Sequence, residues 1–388
     1  MKKFCIALTA LALSTSFATA FEWGGRFYNN SVLEKNYTTE NTPMALKQTD
    51  NLNLWLKVPL SKNNLSYFTT EAFYQFKYDG TSTTEPIVNT IDLNLFKFVI
   101  NKQLPKARAI SMNFGRFTLS DSTYLIFSQV CDGAILKYSS QKFIGSVYGG
   151  YTGLLNSNSI TILNSKTTNY RKTTGTVYGL APQYIPFGLS LAFPGLVFNQ
   201  QVTFQGWGFV DLNKDNYNRY YGTLGLSGYI LPVLYYSLNS VIGTVNFESV
   251  SNLTNFKLTG YFTRTFSMNF GALYASGNQG GLSEFTGFTS MTASLSNKEP
   301  QFASLLKFDL SATKTFGKAA FINGGAACFF DVNSSSCTFN GLQFQLSANY
   351  NIFNDLQIGA SFGQFIDLDN DADNNSKTQI ALKAVVVF

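Results

Sequence analysis

The 388-residue sequence contains no histidine. Hydrolases and proteases that use a histidine general base are therefore excluded, and so are metal sites built on imidazole. Asp369, Asp371 and Asp373 offer oxygen ligands for Ca²⁺, but the segment lacks the glycine and closing glutamate of an EF-hand loop. We interpret it as a solvated loop tip, and we expect no enzyme activity, no catalytic residues, no cofactor and no metal centre.

Charge and long apolar runs are also scarce. Charged residues make up 13% of the sequence, whereas a soluble domain has roughly 25%, and no apolar run beyond residue 20 approaches the ~18 residues of a spanning helix. The chain is instead rich in phenylalanine (37), tyrosine (21) and glycine (31). This composition is typical of membrane strands with one lipid-facing and one wet face. A secreted β-sandwich is the alternative, although such domains rarely reach this length without a linker.

The first twenty residues predict a signal peptide. Lys2 and Lys3 precede a short apolar stretch, and Ala18 to Ala20 form a small-residue cleavage site, so the mature chain is expected to begin at Phe21. Residues 21–388 then form a single domain. Basic residues (28) barely outnumber acidic ones (22), which argues against nucleic acid as a partner.

The last strand of the sequence predicts the compartment. In the stretch 379–388 one face is apolar throughout, and the chain stops on the aromatic residue Phe388. Terminal strands of this kind close outer-membrane β-barrels, and the barrel-assembly machinery grips them by strand addition. We therefore expect the cell outer membrane of a diderm bacterium, with outer-membrane lipid and the assembly machinery as partners.

Alternation of apolar and polar residues divides the chain into strands. Leu52, Leu54 and Leu56 share one face of a strand, and Asn53 and Lys57 share the other. Such alternation fits both a barrel and a sandwich, so the choice of a barrel depends on the length, the signal peptide and the terminal strand.

The whole pattern predicts an all-β protein, a transmembrane antiparallel up-and-down barrel of about 18 strands, with 16 or 20 as alternatives. The strands start near Phe21, Thr49, Leu65, Val88, Lys106, Val130, Phe143, Gln183, Val197, Arg219, Val233, Asn255, Asn269, Ser304, Lys318, Cys337, Asn354 and Ser376. Long links at 30–48, 156–171 and 277–302 alternate with short turns. That alternation is typical of extracellular loops and periplasmic turns.

Charges on the wet strand faces are expected to line the lumen. They are Lys57, Glu71, Lys77, Asp92, Asp211, Lys257, Lys307, Asp309 and Lys383. Arg116 has the apolar parity of Phe114, and we interpret Gly115 as a β-bulge that turns Arg116 inward and Phe117 and Leu119 toward lipid. Solvation or cross-strand pairing explains any single charge better than a role in selectivity does. Together the charges predict a wet interior.

Aromatic residues on the inward parity admit two interpretations. Trp55, Phe73, Trp207 and Phe209 could pack against a folded-in loop or fill the taper of the barrel, which we favour, or form an apolar track for sugars and other amphipathic solutes. The long link 277–302 could fold inward to constrict the pore, or it could present its aromatic residues to a partner outside the cell.

Two cysteines flank a predicted extracellular hairpin. Cys328 and Cys337 lie on either side of Ser334 to Ser336, and in an exported protein this spacing is compatible with a disulfide or with two thiols. Cys131 would then be left as a small apolar strand residue.

Short motifs between residues 108 and 211, most of them containing glycine, resemble those of a known family. The motifs are Gly115-Arg116-Phe117, Asp121-Ser122-Thr123, Asp132-Gly133, the run from Gly149 to Leu155, and Tyr178-Gly179-Leu180-Ala181-Pro182. They resemble the porin-like outer-membrane β-barrels of spirochaetes. The resemblance implies a monomeric or oligomeric barrel and supplies no ligand, and Val386 stands where a tyrosine is commoner in the terminal barrel signal.

These observations favour an outer-membrane porin. We expect passive diffusion of small hydrophilic solutes with a weak anion preference, and a homo-oligomer is compatible with the sequence. One alternative is a barrel whose extracellular loops act as an adhesin or partner-binding surface. A less favoured one is a transporter of hydrophobic molecules, since no plug sequence precedes the first strand.

Overall fold

The computed structural model describes residues 21–37, 44–61, 65–82, 86–160, 162–163, 177–213, 217–278, 280–289, 303–333, 337–368 and 376–388. The predicted signal peptide (1–20) and the acidic cluster at 369–373 lie outside the described residues. Within the described ranges, no helix is long and apolar enough to cross a membrane.

Eighteen antiparallel strands form one closed sheet. In chain order they are β1 (Glu22–Asn36), β2 (Ala45–Pro59), β3 (Tyr67–Asp79), β4 (Ile87–Leu104), β5 (Arg108–Ser120), β6 (Ser128–Ser139), β7 (Ile144–Tyr151), β8 (Tyr184–Val197), β9 (Gln200–Asp211), β10 (Arg219–Leu231), β11 (Leu234–Val245), β12 (Ser251–Thr263), β13 (Phe266–Ala275), β14 (Leu305–Phe316), β15 (Ala320–Asp331), β16 (Thr338–Asn351), β17 (Leu356–Asp367) and β18 (Lys377–Val387). Consecutive strands pair throughout, and β1 also pairs with β18. The predicted up-and-down barrel and its strand number are confirmed, and each predicted strand start lies within a few residues of an observed one.

The barrel closes where the two ends of the described chain meet. The register of β1 with β18 begins with Arg26 opposite Val387. Just beyond it, the amide of Gly25 donates to the carbonyl of Phe388 over 2.8 Å, and the amide of Phe388 donates back over 3.0 Å. A Cβ on Gly25 would overlap the Phe388 ring. Glycine at this position therefore lets the terminal aromatic ring lie flat on the first strand.

The outer face of the barrel is apolar and the inner face is polar. On β2, Leu52 and Leu54 are exposed, whereas Asn53 between them is buried. Other exposed apolar side chains are Leu136, Val147, Leu189, Phe204, Leu224, Leu238, Phe344, Leu346 and Leu382. Buried polar ones include Thr223, Asn255 and Gln343. This inverts the arrangement of a soluble domain, and such an exterior belongs in a lipid bilayer.

One bulge changes which residues of β4 face inward. The register between β3 and β4 shifts between Glu71 and Ala72, so Asn94 has no residue opposite it. Lys97 therefore lies opposite Thr69 on the inner face. Strict alternation along β4 would place Lys97 on the lipid face, but the extra residue reverses the alternation along the rest of the strand.

Candidate functional site

Three of the predicted lumen charges lie close together on the inner wall. Lys257 of β12 and Asp309 of β14 lie in one row and are separated by Gly271 of β13. The ammonium of Lys307 lies 4.0 Å from the carboxylate of Asp309 and 5.7 Å from the centre of the Phe329 ring. A Cβ on Gly271 would overlap the Asp309 carboxylate. Glycine at this position leaves the carboxylate room to lie over β13.

Lys57 and Glu71 also lie on the inner face, on neighbouring strands. Lys57 forms an ion pair with Glu22 at 3.1 Å, and the two side chains are 34% and 54% exposed. Glu71 accepts hydrogen bonds from the amides of Asn53 at 2.6 Å and Asn94 at 3.2 Å. The bulged residue Asn94 thus holds the carboxylate against the wall.

Lys77 and Lys383 share one row of the inner face. Thr49 and Asn30 lie between them, so the row crosses from β3 through β2 and β1 to β18. The seam where the barrel closes therefore carries basic residues on its inner side.

A buried carboxylate that the sequence did not single out lies near the same seam. Glu34 is 2% exposed and is paired with Lys47 at 3.0 Å and Lys377 at 3.2 Å. The amide of Gln379 also donates to it. Two cations and an amide compensate the burial of this charge, so it ties β1, β2 and β18 together on the loop side of the barrel.

Two predicted lumen charges are buried and structural. Asp211, 6% exposed, accepts hydrogen bonds from the backbone amides of Asn213 at 2.8 Å and Tyr217 at 2.9 Å. It therefore holds the link between β9 and β10. Asp92, 8% exposed, accepts a hydrogen bond from the Ser159 hydroxyl at 2.5 Å. Both point inward, but folded-in chain covers them, and they do not line open lumen.

Arg116 lies in the barrel wall and not in the lumen. Its guanidinium contacts both carboxylate oxygens of Asp132 at 2.7 and 2.8 Å and one oxygen of Asp92 at 3.0 Å. Its side chain is 11% exposed, and those of Asp92 and Asp132 are 6% and 21% exposed. Arg116 thus joins β4, β5 and β6 as a nearly buried ion triad, and its prediction as a pore-lining residue is wrong.

The cause is a bend in the β5–β6 hairpin at this level. Pairing of β5 with β4 ends at Arg116 opposite Phe96, and pairing of β6 with β7 ends at Asp132. Beyond these points, residues 117–131 pair only within the hairpin. Gly115, just before the bend, has a φ of +113°, and a Cβ there would overlap the Phe96 carbonyl oxygen. The hairpin tip therefore leaves the wall and folds into the lumen.

The predicted bulge at Gly115 is wrong for the same reason. The register of β5 with β6 is unbroken through Gly115, so Phe117 and Leu119 keep the inward parity and do not face lipid. Phe117 is 4% exposed, and its ring packs edge-on against Tyr148 with the ring centres 6.2 Å apart.

A segment of the β7–β8 link takes the place of the missing wall. Without the hairpin tip, Ile87–Leu95 of β4 has strand pairing only on its β3 side. The Asn156 amide donates to the Ile91 carbonyl at 3.0 Å, and Arg116 donates to the Leu154 carbonyl at 2.8 Å. Arg116 also donates to the Leu93 carbonyl of β4 at 3.4 Å, so side-chain donors satisfy two carbonyl groups of a strand edge that would otherwise be open.

The tip of the bent hairpin is organised by Asp121. Its carboxylate accepts hydrogen bonds from the backbone amides of Thr123 at 2.7 Å and Phe127 at 2.9 Å. Burial raises the pKa of the Asp121 carboxyl above its usual range, while these donors act in the opposite direction. Across the lumen, the amide of Ser122 donates to Gln205 of β9 at 2.9 Å. The tip is thus fixed to the wall on the far side of β7.

The β13–β14 link supplies another folded-in segment, residues 283–289. Arg219 and Tyr221 of β10 donate to two of its carbonyl groups over 3.0 and 2.6 Å. The amide of Phe288 donates to the Ile126 carbonyl of the hairpin tip at 2.7 Å. The described part of the predicted long link thus folds inward, which was one of the two interpretations of it.

Aromatic stacking holds these segments together. The ring of Phe288 stacks on that of Phe209 with centres 3.9 Å apart and planes 13° apart. Tyr184 and Phe127 pack on Phe288 edge-on at 5.1 and 5.7 Å, and the guanidinium of Arg219 lies 4.6 Å from its centre. Phe209 therefore serves to pack a folded-in loop, as favoured from the sequence.

The lumen is consequently asymmetric. The folded-in segments pack mainly against β4 and β6–β13, and the buried hydrophobic cluster around them also includes Leu305 of β14, Phe329 of β15 and Phe365 of β17. The wall from β14 through β18 to β3 carries Lys77, Lys383, Lys307 and Asp309 on its inner face. The polar part of the cross-section therefore runs along this second wall.

Further basic residues of the inner face were missed from the sequence. Arg26 on β1 and Lys137 on β6 face inward by register. Their neighbours Phe27 and Leu136 are exposed on the lipid face, so the same alternation would have found both. Lys97 had no such signal, because the bulge before it depends on the partner strand.

The structure shows no bridge between Cys328 and Cys337. Cys328 lies opposite Leu342. Cys337 directly precedes Thr338, which lies opposite Asp331. The two cysteines are therefore several positions apart in the ladder, and both are free thiols. A disulfide needs Cβ atoms about 4 Å apart. In a ladder of strands, only residues directly opposite each other come that close. Cys131 is a buried free thiol.

Comparison with known proteins supports the barrel at the level of fold. No protein-family model matches the chain, and no curated protein sequence matches it. Similar solved structures include OpdQ of Pseudomonas aeruginosa (11% identity, 95% of this chain and 99% of that chain, TM-score 0.64) and OccAB4 of Acinetobacter baumannii (11%, 95% and 98%, 0.61). The outer membrane protein opdK of Pseudomonas aeruginosa is also similar (9%, 95% and 98%, 0.59), and it has been solved with vanillate.

These similarities span nearly the whole length of both chains, so the fold is that of an outer-membrane barrel. The general resemblance to porin-like barrels is thereby supported. The narrower resemblance to spirochaete proteins stays a prediction.

Proposed function

We propose that the protein is an outer-membrane porin through which small hydrophilic solutes pass by passive diffusion. The observation that carries this proposal is the asymmetric lumen, in which folded-in segments narrow a barrel whose remaining inner wall is charged. Water fills the polar part of the cross-section, and the packed segments set the size limit for solutes. The mechanism needs no chemical step.

We propose that the channel has a weak preference for anions. Among the described residues, no carboxylate lies within ion-pair distance of Lys257 or Lys383. The carboxylates of the same wall are held by neighbours, since Glu71 accepts two amide hydrogen bonds and Glu34 lies between two lysines. The preference is weak because screening in physiological salt acts over about 8 Å.

The vanillate bound by opdK suggests one class of solute to test. Vanillate is a small aromatic carboxylate, so a channel with unpaired lysines on a polar wall would attract its charge. We propose small carboxylates as permeating anions of this protein.

Planar-bilayer recording on refolded protein tests these proposals. We expect discrete conductance steps and, under a salt gradient, a reversal potential shifted toward that of the anion. Vanillate added on one side should carry current in the absence of other permeant anions. Protein denatured by heat in the same detergent is the control. No conductance steps with folded protein would contradict the porin proposal, and clear cation preference would contradict only the selectivity.

The adhesin alternative loses its main support in the described residues. It depended on aromatic residues of the β13–β14 link, but Phe285 and Phe288 are fully buried inside the barrel. Met291 of the same link lies outside the described residues. The described part of that link therefore presents no exposed aromatic surface to support partner binding.

We also propose that the assembly machinery binds β18. The mutual hydrogen bonds of Phe388 and Gly25 form only on closure, so the terminal strand has a free edge until then. Deleting Phe388 should lower the amount of heat-modifiable barrel in cells. The homo-oligomer remains a proposal, which cross-linking in native membranes tests.

A further inference from the structure

A cavity lies against the inner wall of β7, β8 and β9, next to the bent hairpin. Its volume is about 110 Å³, and it is partly open. Its polar lining comes from Ser146, Ser190 and Gln205, which occupy one row of the sheet. Leu119 and Ser120 of the hairpin close it on the other side. The cavity exists because the hairpin folds into the lumen instead of continuing up the wall.

Aromatic rings form the next row of the cavity wall. Tyr148, Gly188 and Trp207 lie side by side in adjacent strands, with the Tyr148 and Trp207 ring centres 6.3 Å apart. A Cβ on Gly188 would overlap the Trp207 ring, so glycine lets the indole lie flat against the sheet. Trp207 and Tyr148 are 6% and 4% exposed, and the small part of each ring that stays open lines the cavity beside the row of polar groups.

The polar groups have hydrogen-bonding capacity to spare. Gln205 donates to the Ser190 hydroxyl oxygen at 3.0 Å, which leaves the Ser190 proton free to donate. The carbonyl oxygen of Gln205 accepts from the Ser122 amide at 2.9 Å, so the glutamine is fixed in one orientation. Ser146, opposite Ser190, adds a second hydroxyl at the same level.

None of the described residues that line the cavity carries a charge. A charged solute would lose hydration there without an opposite charge to compensate, which is costly. A neutral solute with several hydroxyl groups would hydrogen-bond to the serines and place its C–H face on the aromatic rings. At roughly 30 Å³ per water, the volume corresponds to a few waters, so it admits a small polyol or one edge of a sugar ring.

We propose that this cavity is a transient binding site for neutral polyhydroxylated solutes, such as small polyols and monosaccharides. The proposal rests on the porin function and adds a substrate class to it. The charged wall across the lumen conducts ions, while this uncharged cavity retains neutral solutes beside the same path. Trp207 and Tyr148 provide the stacking surface, and Ser146 and Ser190 provide the hydrogen bonds.

Two measurements test the site with glucose as the probe. In detergent-folded protein, glucose should change tryptophan emission with saturation. In planar bilayers, the same sugar should reduce ion current with a saturating dose dependence. Ser190→Phe fills the cavity and should weaken the apparent affinity by about tenfold or more in both assays.

Ser361→Phe is the matched control, because Ser361 faces inward on β17, on the far wall. It should narrow the lumen without changing the affinity for glucose. Ser190→Ala removes one hydroxyl with no added bulk and should weaken binding by a few-fold.

The two proposals fail differently. Saturable glucose binding in detergent without conductance in bilayers would overturn the porin function and leave the cavity as a binding site. Normal conductance with no saturable glucose effect, or an equal loss of affinity in Ser190→Phe and Ser361→Phe, would overturn the cavity proposal and leave the porin.

Discussion

Arg116 of β5 and Asp92 of β4 form an ion pair of 3.0 Å across a gap in the sheet, although β4 and β5 share no backbone hydrogen bonds beyond Phe96. The side chains are 11% and 6% exposed, so each charge depends on the other for compensation. This side-chain contact thus joins β4 and β5 beyond the point where their backbone pairing ends.

Loss of Arg116 should therefore destabilise the barrel strongly. Arg116→Met leaves Asp92 and Asp132 without their cation, and removing one partner of a buried pair costs about 3–5 kcal/mol. The free energy of unfolding in urea, followed by heat-modifiable gel mobility, measures this. Lys57→Met is the control, because its solvent-exposed pair with Glu22 should contribute about 1 kcal/mol or less. Equal effects of the two substitutions would contradict the structural role of Arg116.

Gly115 should tolerate no side chain. Its φ of +113° and the overlap of any Cβ with the Phe96 carbonyl oxygen predict a cost above about 2 kcal/mol for Gly115→Ala. Gly206→Ala is the matched control, since no atom lies within 4 Å of the added Cβ. The yield of folded barrel after refolding compares them. Refolding of Gly115→Ala as efficient as that of Gly206→Ala would show that the bend does not depend on glycine.

Removal of the Phe288 ring should widen the channel. The ring stacks on Phe209 at 3.9 Å and lies under Arg219, so Phe288→Ala leaves a void of ring size and loosens the folded-in segment. We expect a larger and noisier single-channel conductance and a loss of about 3–5 kcal/mol in unfolding free energy. Phe344→Ala, on the lipid face, should leave the conductance unchanged. Unchanged conductance in Phe288→Ala would mean that this segment does not limit the pore.

Charge reversal on the inner face of the barrel should change ion selectivity. Lys257→Glu and Lys383→Glu place new carboxylates on the inner face, so each should move the reversal potential toward that of the cation. Lys314→Glu is the control, because Lys314 lies near a turn and donates to Thr265 at the edge of the barrel. The shift should shrink as salt rises, since screening lengths fall. Equal shifts for Lys314→Glu and the wall variants would contradict the placement of the conducting path.

The cysteines should differ in reactivity in the folded protein. Cys337 is exposed, Cys131 is buried and Cys328 is half-buried. A water-soluble maleimide should label Cys337 rapidly and Cys131 only after heat denaturation. A reducing agent should not change gel mobility. A band shift on reduction would reinstate the bridge between Cys328 and Cys337.

The alternation of side chains was sufficient to predict the strands. On β2, for example, the apolar residue Leu52 faces lipid and the polar residue Asn53 faces inward. This alternation with a period of two residues was enough to predict the fold class, the strand number and most of the inward charges. Asn94 shows where this fails. Its bulge depends on how β3 pairs with β4, and nothing within β4 alone records that extra residue.

The bend of the β5–β6 hairpin could not be predicted from local pattern either. Phe117 and Phe127 occupy positions that suit a wall strand equally well, and inside the barrel they pack with Tyr148, Trp207 and Phe288. Arg116 was consequently assigned to the lumen. Tertiary packing overrides alternation wherever a strand leaves its sheet.

The contacts inside the barrel join parts of the chain that are far apart in sequence, and this implies an order of biogenesis. The amide of Ser128 donates to the Thr289 hydroxyl 161 residues away, and Arg219 reaches the Gly287 carbonyl 68 residues away. These contacts join segments carried by different strands, so they can form only when those strands are in place. We therefore expect strand insertion to precede filling of the interior. A newly inserted barrel should be wider and leakier than the mature one, and completion of the inner packing should restore the permeability barrier.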